Sequence, residues 1–432
     1  MILRHKQSAL RRPFAVLDLG SSKITCLIGE ADGKGQVQLL GQGMHASAGM
    51  RHGEVSNLEQ LSTVIGKTVH AAERDAGTSI QSMSIVTPGG MPVSRLGKQT
   101  LTLSDKTVRR RDMQRLMARE NDADTPDTHQ AMHLQTLQYD LDDVRCIADP
   151  RGMRGSSLSV DYTIVSGART SLTNFREALV LNHLEVDRFI HAGYAAGLAC
   201  LGEEERDLGG TVIDMGGGTT SISIFMHGKL IYVDTIPVGG HHVTTDIARI
   251  LSLPVADAER IKAIDGSVMP TELSGTPPAS LSEVMRNGNS DNIVIPTQGD
   301  NIEIGGKSVE RNLLSAIIRP RIEEIIELLT SRIENAHMQH AAGYRLLLTG
   351  GASQLTGLAD LFAHCTQKTA VLGTPQSVDG VLDENSGPEC AAAIGALMHV
   401  SRLEENDPTD RQTRTLSYGP FERIGAWLRD NL

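Results

Sequence analysis

Thr211-Val-Ile-Asp214-Met-Gly216-Gly217-Gly218-Thr219-Thr220-Ser221-Ile222-Ser-Ile-Phe-Met226 reads as a buried strand that ends in an aspartate, turns through three glycines and returns as a second strand. Glycine in such a turn lets backbone N–H groups approach phosphate oxygens with no Cβ in the way. The same design stands near the start of the chain. Phe14-Ala-Val-Leu-Asp18-Leu19 is followed by Gly20-Ser21-Ser22-Lys23 and a return strand from Ile24 to Gly29. Two such hairpins facing each other can clamp the β- and γ-phosphates of a nucleotide, and Lys23 adds a point charge. Asp18 and Asp214 then hold Mg²⁺ through waters, because Mg²⁺ sheds its hydration shell reluctantly. A third motif, Leu346-Leu-Leu-Thr-Gly350-Gly351-Ala-Ser353, is a strand whose Gly-Gly turn opens a helix. Backbone at such a turn can lie flat beneath an adenine. Neither hairpin is a Walker A loop or a dinucleotide-binding Gly-x-Gly-x-x-Gly turn. The duplicated hairpin predicts an α/β architecture of two related lobes across a cleft.

Composition narrows the function. Of 432 residues, 40% are apolar and 22% charged, enough for large buried cores. A net charge of −11 disfavours general nucleic-acid binding and flat adsorption to acidic lipid. Cys26, Cys146, Cys200, Cys365 and Cys390 are odd in number and scattered, so neither a disulfide framework nor a zinc site is expected, and a reducing cytosol is. Residues 1–12 are basic without an apolar core, so they do not read as a signal peptide. No run of about 18 apolar residues is present to span a bilayer.

Helical periodicity predicts helices over 57–76, stopped by Gly77, over 171–184, and over 310–337, with Pro320 expected to kink or restart the last. Residues 84–168 alternate strand-like runs around a basic helix, Val108 to Glu120, and read as an insertion in the first lobe. Arg109, Arg110, Arg111, Arg115 and Arg119 on that helix read as a solvated face or a protein contact. Residues 271–300 read as a long loop. His241-His242 reads as packing at a helix start, since no third ligand is suggested.

The three glycine motifs, in this order, resemble the phosphate-1, phosphate-2 and adenosine motifs of the superfamily of actin, chaperone ATPases and sugar kinases. Asp257-Ala-Glu259-Arg-Ile-Lys262 resembles the helix from which a Glu and a Lys reach the ribose, and Gly193–Leu201 and Glu389–Leu397 resemble the interlobe connectors. Gly-Ser-Ser-Lys, Ile236-Pro-Val-Gly-Gly240 with Val243-Thr-Thr-Asp-Ile-Ala248, and Gly49-Met-Arg-His-Gly53 resemble the FtsA cell-division family within that superfamily. The resemblance implies a two-lobed actin-like ATPase fold with an inserted 1C-type subdomain and a C-terminal amphipathic helix. It divides the chain into lobe I core 13–83 and 169–205, insertion 84–168, lobe II core 206–250 and 344–400, and subdomain 2B 251–343.

It also implies ATP and Mg²⁺ as ligands, filaments of the chain itself, other division proteins bound through 84–168, and the tubulin homologue FtsZ as partner. Arg311, Arg319 and Arg321 fall in the subdomain that receives the acidic tail peptide of FtsZ. The implied location is the cytoplasmic face of the inner membrane at the division site. Ser221 stands where many relatives have Asp, which weakens the expected metal site. Ala192-Gly-Tyr-Ala-Ala196 lacks the Glu that chaperone relatives carry in the connector, so slow hydrolysis at most is expected. A small-molecule kinase, a chaperone ATPase and a pilus-assembly relative are the competing readings; the tail argues against the first and the last, and no room for a peptide-binding domain is expected after residue 400.

Residues 401–415 are polar and read as a flexible linker. Residues 416–432 follow with Tyr418, Phe421 and the only Trp of the chain, Trp427. At helical spacing Phe421, Ile424, Leu428 and Leu432 fall within an arc of about 80°. Trp427 flanks that arc and charged residues lie opposite, the pattern of an interfacial membrane helix. Burying these side chains gives roughly 8–12 kcal/mol gross. Ordering the segment costs a similar amount. Single-copy membrane binding should therefore be weak, and assembly should multiply it.

Overall fold

The computed structural model describes residues 12–31, 36–104, 106–118, 125–269, 292–294, 308–381 and 386–406. The chain begins with β1 (Phe14–Leu19), β2 (Lys23–Ala31) and β3 (Val37–Ala46), a tiny hairpin of β4 (Met50–Arg51) and β5 (Glu54–Val55), then α1 (Leu58–Ala76) and β6 (Ser82–Thr87). Asn57 caps α1 by accepting from the Gln60 N–H, and Gly77, left-handed at φ 65°, ends it as the sequence predicts.

The insertion follows: β7 (Val93–Thr102), α2 (Arg110–Ala118), β8 (His129–Leu141), β9 (Val144–Ile147) and β10 (Ser157–Ala168) form a sheet in the order β7-β10-β8-β9. The chain then returns through α3 (Arg169–Val180), β11 (Glu185–His191) and α4 (Ala192–Cys200). The first lobe's sheet has the order β11-β6-β1-β2-β3. Because β6 belongs to it, the insertion begins after Thr87 and not at residue 84.

The second lobe opens with α5 (Glu203–Leu208), β12 (Gly210–Met215), β13 (Thr220–Met226) and β14 (Lys229–Ile236), followed by α6 (Gly240–Leu251) and α7 (Val255–Asp265). A short pair, β15 (Asn292–Val294) and β16 (Ser308–Glu310), precedes α8 (Arg311–Asn335), β17 (Arg345–Thr349), α9 (Leu358–Thr366), β18 (Thr369–Leu372) and α10 (Ala391–Asn406). Its sheet runs β14-β13-β12-β17-β18. Each lobe therefore has three antiparallel strands joined to two parallel ones, with Asp18 paired to Thr25 in one and Asp214 to Ser221 in the other. This is the duplication that the two hairpins announced.

α8 runs unbroken through Pro320. Leu314, Ile317, Ile318, Ile322, Ile325, Ile326 and Leu329 are all buried along it, and this apolar face holds the helix together despite the missing N–H. The expected restart does not occur.

α4 and α10 cross between the lobes. α4 packs on β12 and β13 of the second lobe, and α10 packs on β1 and β2 of the first. Each lobe thus hands its last helix to the other sheet, so residues 192–200 and 391–400 lie on the opposite lobes from those expected. Gly395 makes the crossing possible, because a Cβ there would collide with the Ala195 carbonyl. α10 also continues to Asn406, so residues 401–406 extend the helix and do not begin a linker. The amphipathic segment 416–432 lies outside the described residues.

Candidate nucleotide cleft

A cavity of about 360 Å³ lies between the lobes. It is lined by Asp18, Gly20, Ser21, Ser22 and Lys23 from the first hairpin, and by Asp214, Gly216, Gly217, Gly218 and Thr219 from the second. Glu259 and Lys262 of α7, and Gly350 and Gly351 after β17, complete the wall. These are the residues that the sequence singles out, with one exception. Thr220 is fully buried and donates its hydroxyl to the Val238 carbonyl at 2.8 Å, so it braces the hairpin from behind.

Several lining residues escaped the sequence reading. Gly53 and Pro88 come from the first lobe, and Ala192 and Ala392 from the starts of the crossing helices. Gly240, Ile264, Gly266, Gln354, Thr356 and Glu389 complete the wall. Small and apolar wall residues have no chemical signature of their own. The sequence marked Gly53, Ala192, Gly240 and Glu389 only as members of a loop, a connector or a family motif, not as cavity wall.

The second turn is built on α6. The Gly240 N–H donates to the Gly216 carbonyl at 2.9 Å and the His241 N–H to the Gly217 carbonyl at 2.7 Å. The turn's carbonyls are held from below, which leaves its N–H side toward the cavity. Gly350 sits at φ 86°, and a Cβ there would strike the Asp214 carboxylate. Only glycine meets both conditions.

Asp18 and Asp214 are half-buried at the strand ends, facing the cavity. Burial, and then the charge of Asp214, push Asp18 up to about 7, against the pull of Lys23. Burial pushes Asp214 up to about 6. Two half-buried carboxylates from opposite lobes, each costly to ionise alone, suit a divalent cation. No group of three or more His, Cys, Asp or Glu gathers among the described residues, so the remaining positions of such a cation would be water or phosphate oxygen. Lys23 Nζ lies 3.3 Å from Cys390 Sγ at the foot of α10.

At the other end, Lys262 Nζ pairs with Glu259 at 2.8 Å, and also donates to Thr244 Oγ1 at 2.9 Å and to the Gly240 carbonyl at 3.1 Å. Burial raises Glu259, but the bonds from Lys262 and Thr244 outweigh it and leave the carboxyl below its ordinary range. Ser221, expected near the metal, is buried and bonds to Thr235 Oγ1 at 2.9 Å. Thr235 in turn meets His191 Nε2 at 3.1 Å.

Arg311, Arg319 and Arg321 lie along α8, and each is committed to an ion pair. Arg311 pairs with Asp265 at 2.8 Å, Arg319 with Glu323 at 2.8 Å, and Arg321 with Asp246 at 2.7 Å as well as with Glu324. Phe421, Ile424, Trp427, Leu428 and Leu432 lie outside the described residues. No described helix is long and apolar enough to cross a membrane.

The family model described as cell division protein FtsA matches residues 211–395, and the model of the SHS2 domain inserted in FtsA matches 89–166. The chain is 34% identical over 430 residues to the cell division protein FtsA of Rhizobium meliloti, covering 96% of this chain and 94% of that one. It is 27% identical over 425 residues to the Escherichia coli K12 protein of that name, covering 96% of each. Among solved structures, the PilM-PilN type IV pilus biogenesis complex superposes with a TM-score of 0.61 at 18% identity, over 90% of this chain and 98% of that one. MreB5 of Spiroplasma citri bound to ADP superposes at 0.52 with 14% identity, over 92% and 99%. These structures establish the actin-like fold, while the sequence relatives decide the branch. The chain belongs to the FtsA family of cell-division proteins.

Proposed function

We propose that this protein binds ATP with Mg²⁺ in the interlobe cleft, assembles into filaments, and tethers FtsZ to the cytoplasmic face of the cell membrane at the division site. The observation that carries this reading is the pair of hairpins. Two strand-end carboxylates and two phosphate-sized turns meet across one cleft, in a chain of the FtsA family. Backbone N–H groups of residues 217–219 and the hydroxyls of Ser21 and Ser22 bind the phosphates from opposite lobes, and Lys23 balances their charge. Mg²⁺, held by Asp18 and Asp214 through water, neutralises phosphate charge when bound. Glu259 and Lys262 receive the ribose hydroxyls.

Turnover is slow in this reading. Ala192, at the start of α4, lines the cavity with a methyl group, where a carboxylate could orient an attacking water. Nucleotide then acts as a ligand that selects a closed, assembly-competent state.

The tail 416–432 supplies the membrane contact, and other division proteins bind the insertion. An acidic FtsZ peptide docks near α8, where it must exchange with Asp265 and Asp246 for Arg311 and Arg321. The test is co-sedimentation of FtsZ with liposomes and Mg-ATP, comparing the full chain with one ending at Thr415. FtsZ pellets only with the full chain. FtsZ left in the supernatant by both would overturn the tether.

A further inference from the structure

Beside the two glycine turns, imidazoles reach toward each other from both lobes. The β4–β5 turn places His52 and Gly53 at φ 52° and 78°. A histidine held in the left-handed region costs about 1 kcal/mol relative to a relaxed backbone. Such strain persists where the position is needed. From this tip the His52 ring stacks on His242 of α6, with ring centroids 4.8 Å apart. One residue away, His241 Nε2 meets Ser22 Oγ of the first hairpin at 2.9 Å. The Gly53 N–H donates to Ser21 Oγ at 3.2 Å, and a Cβ on Gly53 would strike the Thr219 methyl. Both serines of the first turn are therefore positioned by this contact.

The contact favours neutral rings at His241 and His242. His52 Nε2 accepts from Arg51 Nε at 3.2 Å. His242 Nδ1 accepts from the Gly239 N–H at 3.1 Å. Around His52 stand the Arg51 guanidinium and His242. Around His242 stand His52, Arg321 and Asp246. Around His241 stand Glu259, Lys262, His52 and Ser22. Protonating His242 would take the acceptor from the Gly239 N–H and face two cations against one carboxylate. Burial favours the neutral form of His241 and His242.

We infer that His52, His241 and His242 form a latch between the lobes that holds only while His241 and His242 are neutral, and that it sets how long nucleotide stays bound. This rests on the reading of the cleft as a nucleotide site. The three histidines act as positioning residues, through Ser21 and Ser22.

The test is release of Mg-bound fluorescent N-methylanthraniloyl-ATP, chased with excess ATP in a stopped-flow instrument from pH 7.5 to pH 5.5. The full-length protein should release the probe about tenfold faster at the acid end. His241→Gln keeps a polar group near the position of Nε2, His242→Asn keeps an acceptor near Nδ1, and neither replacement can be protonated. The double variant should release slowly at pH 7.5 and lose the acid acceleration, with an unchanged circular dichroism spectrum confirming its fold. Equal acceleration in wild type and variant overturns the latch while leaving the nucleotide site intact. Failure of the probe to bind at pH 7.5 overturns the site itself, and the latch with it.

Discussion

The two hairpins that face each other across the cleft share a backbone and differ in chemistry. The first offers side chains: two hydroxyls, one ammonium, and an aspartate pushed up to about 7. The second offers backbone: three glycines, two of whose carbonyls are tied to α6, with an aspartate pushed up to about 6. One ancestral unit has thus been divided into a hand that carries charge and a hand that carries geometry. Charge can be trimmed by degrees, whereas geometry fails all at once.

That contrast predicts a ranking. The largest effect should come from Gly217→Val, whose Cβ would be driven into Ser22 Oγ and the His241 ring. The turn cannot keep its shape, and nucleotide affinity should fall at least about 100-fold, or close to 3 kcal/mol, measured by titration calorimetry. Ser22→Ala removes one hydroxyl from the other hand and should cost about tenfold or less. Equal losses would erase the distinction between the hairpins.

Ser221→Asp breaks the comparison differently. Sequence alone suggests that an aspartate here restores a metal ligand. The structure places the side chain against Thr235 and His191, in a buried hydroxyl–imidazole chain. An added carboxylate there should cost about 3 kcal/mol of stability with no gain in Mg²⁺ dependence, seen as a lower urea midpoint.

Acid sharpens it. For Asp18 and Asp214 the folded value lies above the unfolded one, so the nucleotide-free fold binds extra protons between about pH 4 and pH 7 and loses stability as pH rises through that window. The buried histidines act with the opposite sign. Burial lowers His191 to about 3 and His399 to about 4, so the unfolded chain binds more protons below its own imidazole value, and stability falls as pH drops from about 6.5 toward 4. The two sets oppose each other. Asp18→Asn should raise the melting temperature of the nucleotide-free protein at pH 7.5. It should also make the decline from pH 6.5 to pH 5 steeper than in wild type, as followed by thermal melts. A flat profile in the variant would mean that the histidines carry no linkage.

The smallest effect should come from Lys262→Met at the ribose end. Glu259 and Thr244 remain to shape the wall, and affinity should drop only about threefold to tenfold. Fluorescence polarisation with labelled ATP would measure it.

The strand–Asp–turn signal was legible because it is local: period-two burial, a strand-end acid and small residues lie within one stretch. The crossing of α4 and α10 was visible only as a resemblance to interlobe connectors; which sheet each covers was not, because residues 192–200 and 391–398 are small or apolar throughout and mark no preferred face. Ser221 follows a related logic. Its place in the motif is fixed by neighbours in sequence, but its side chain answers to Thr235 on the next strand. The latch histidines were visible as a pair, yet their partner His52 lies nearly 200 residues earlier, beyond any local pattern.

The crossing itself sets the mechanics of the molecule. α4 and α10 both start at the cavity wall, with Ala192 and Ala392, and touch one turn further along at Ala195 and Gly395. A contact of bare backbone on backbone has no side chain to repack, so it can serve as a pin while the lobes rotate. With the pin one turn below the cavity wall, a small rotation of the lobes would barely move the two glycine turns but would sweep the far rims through a long arc.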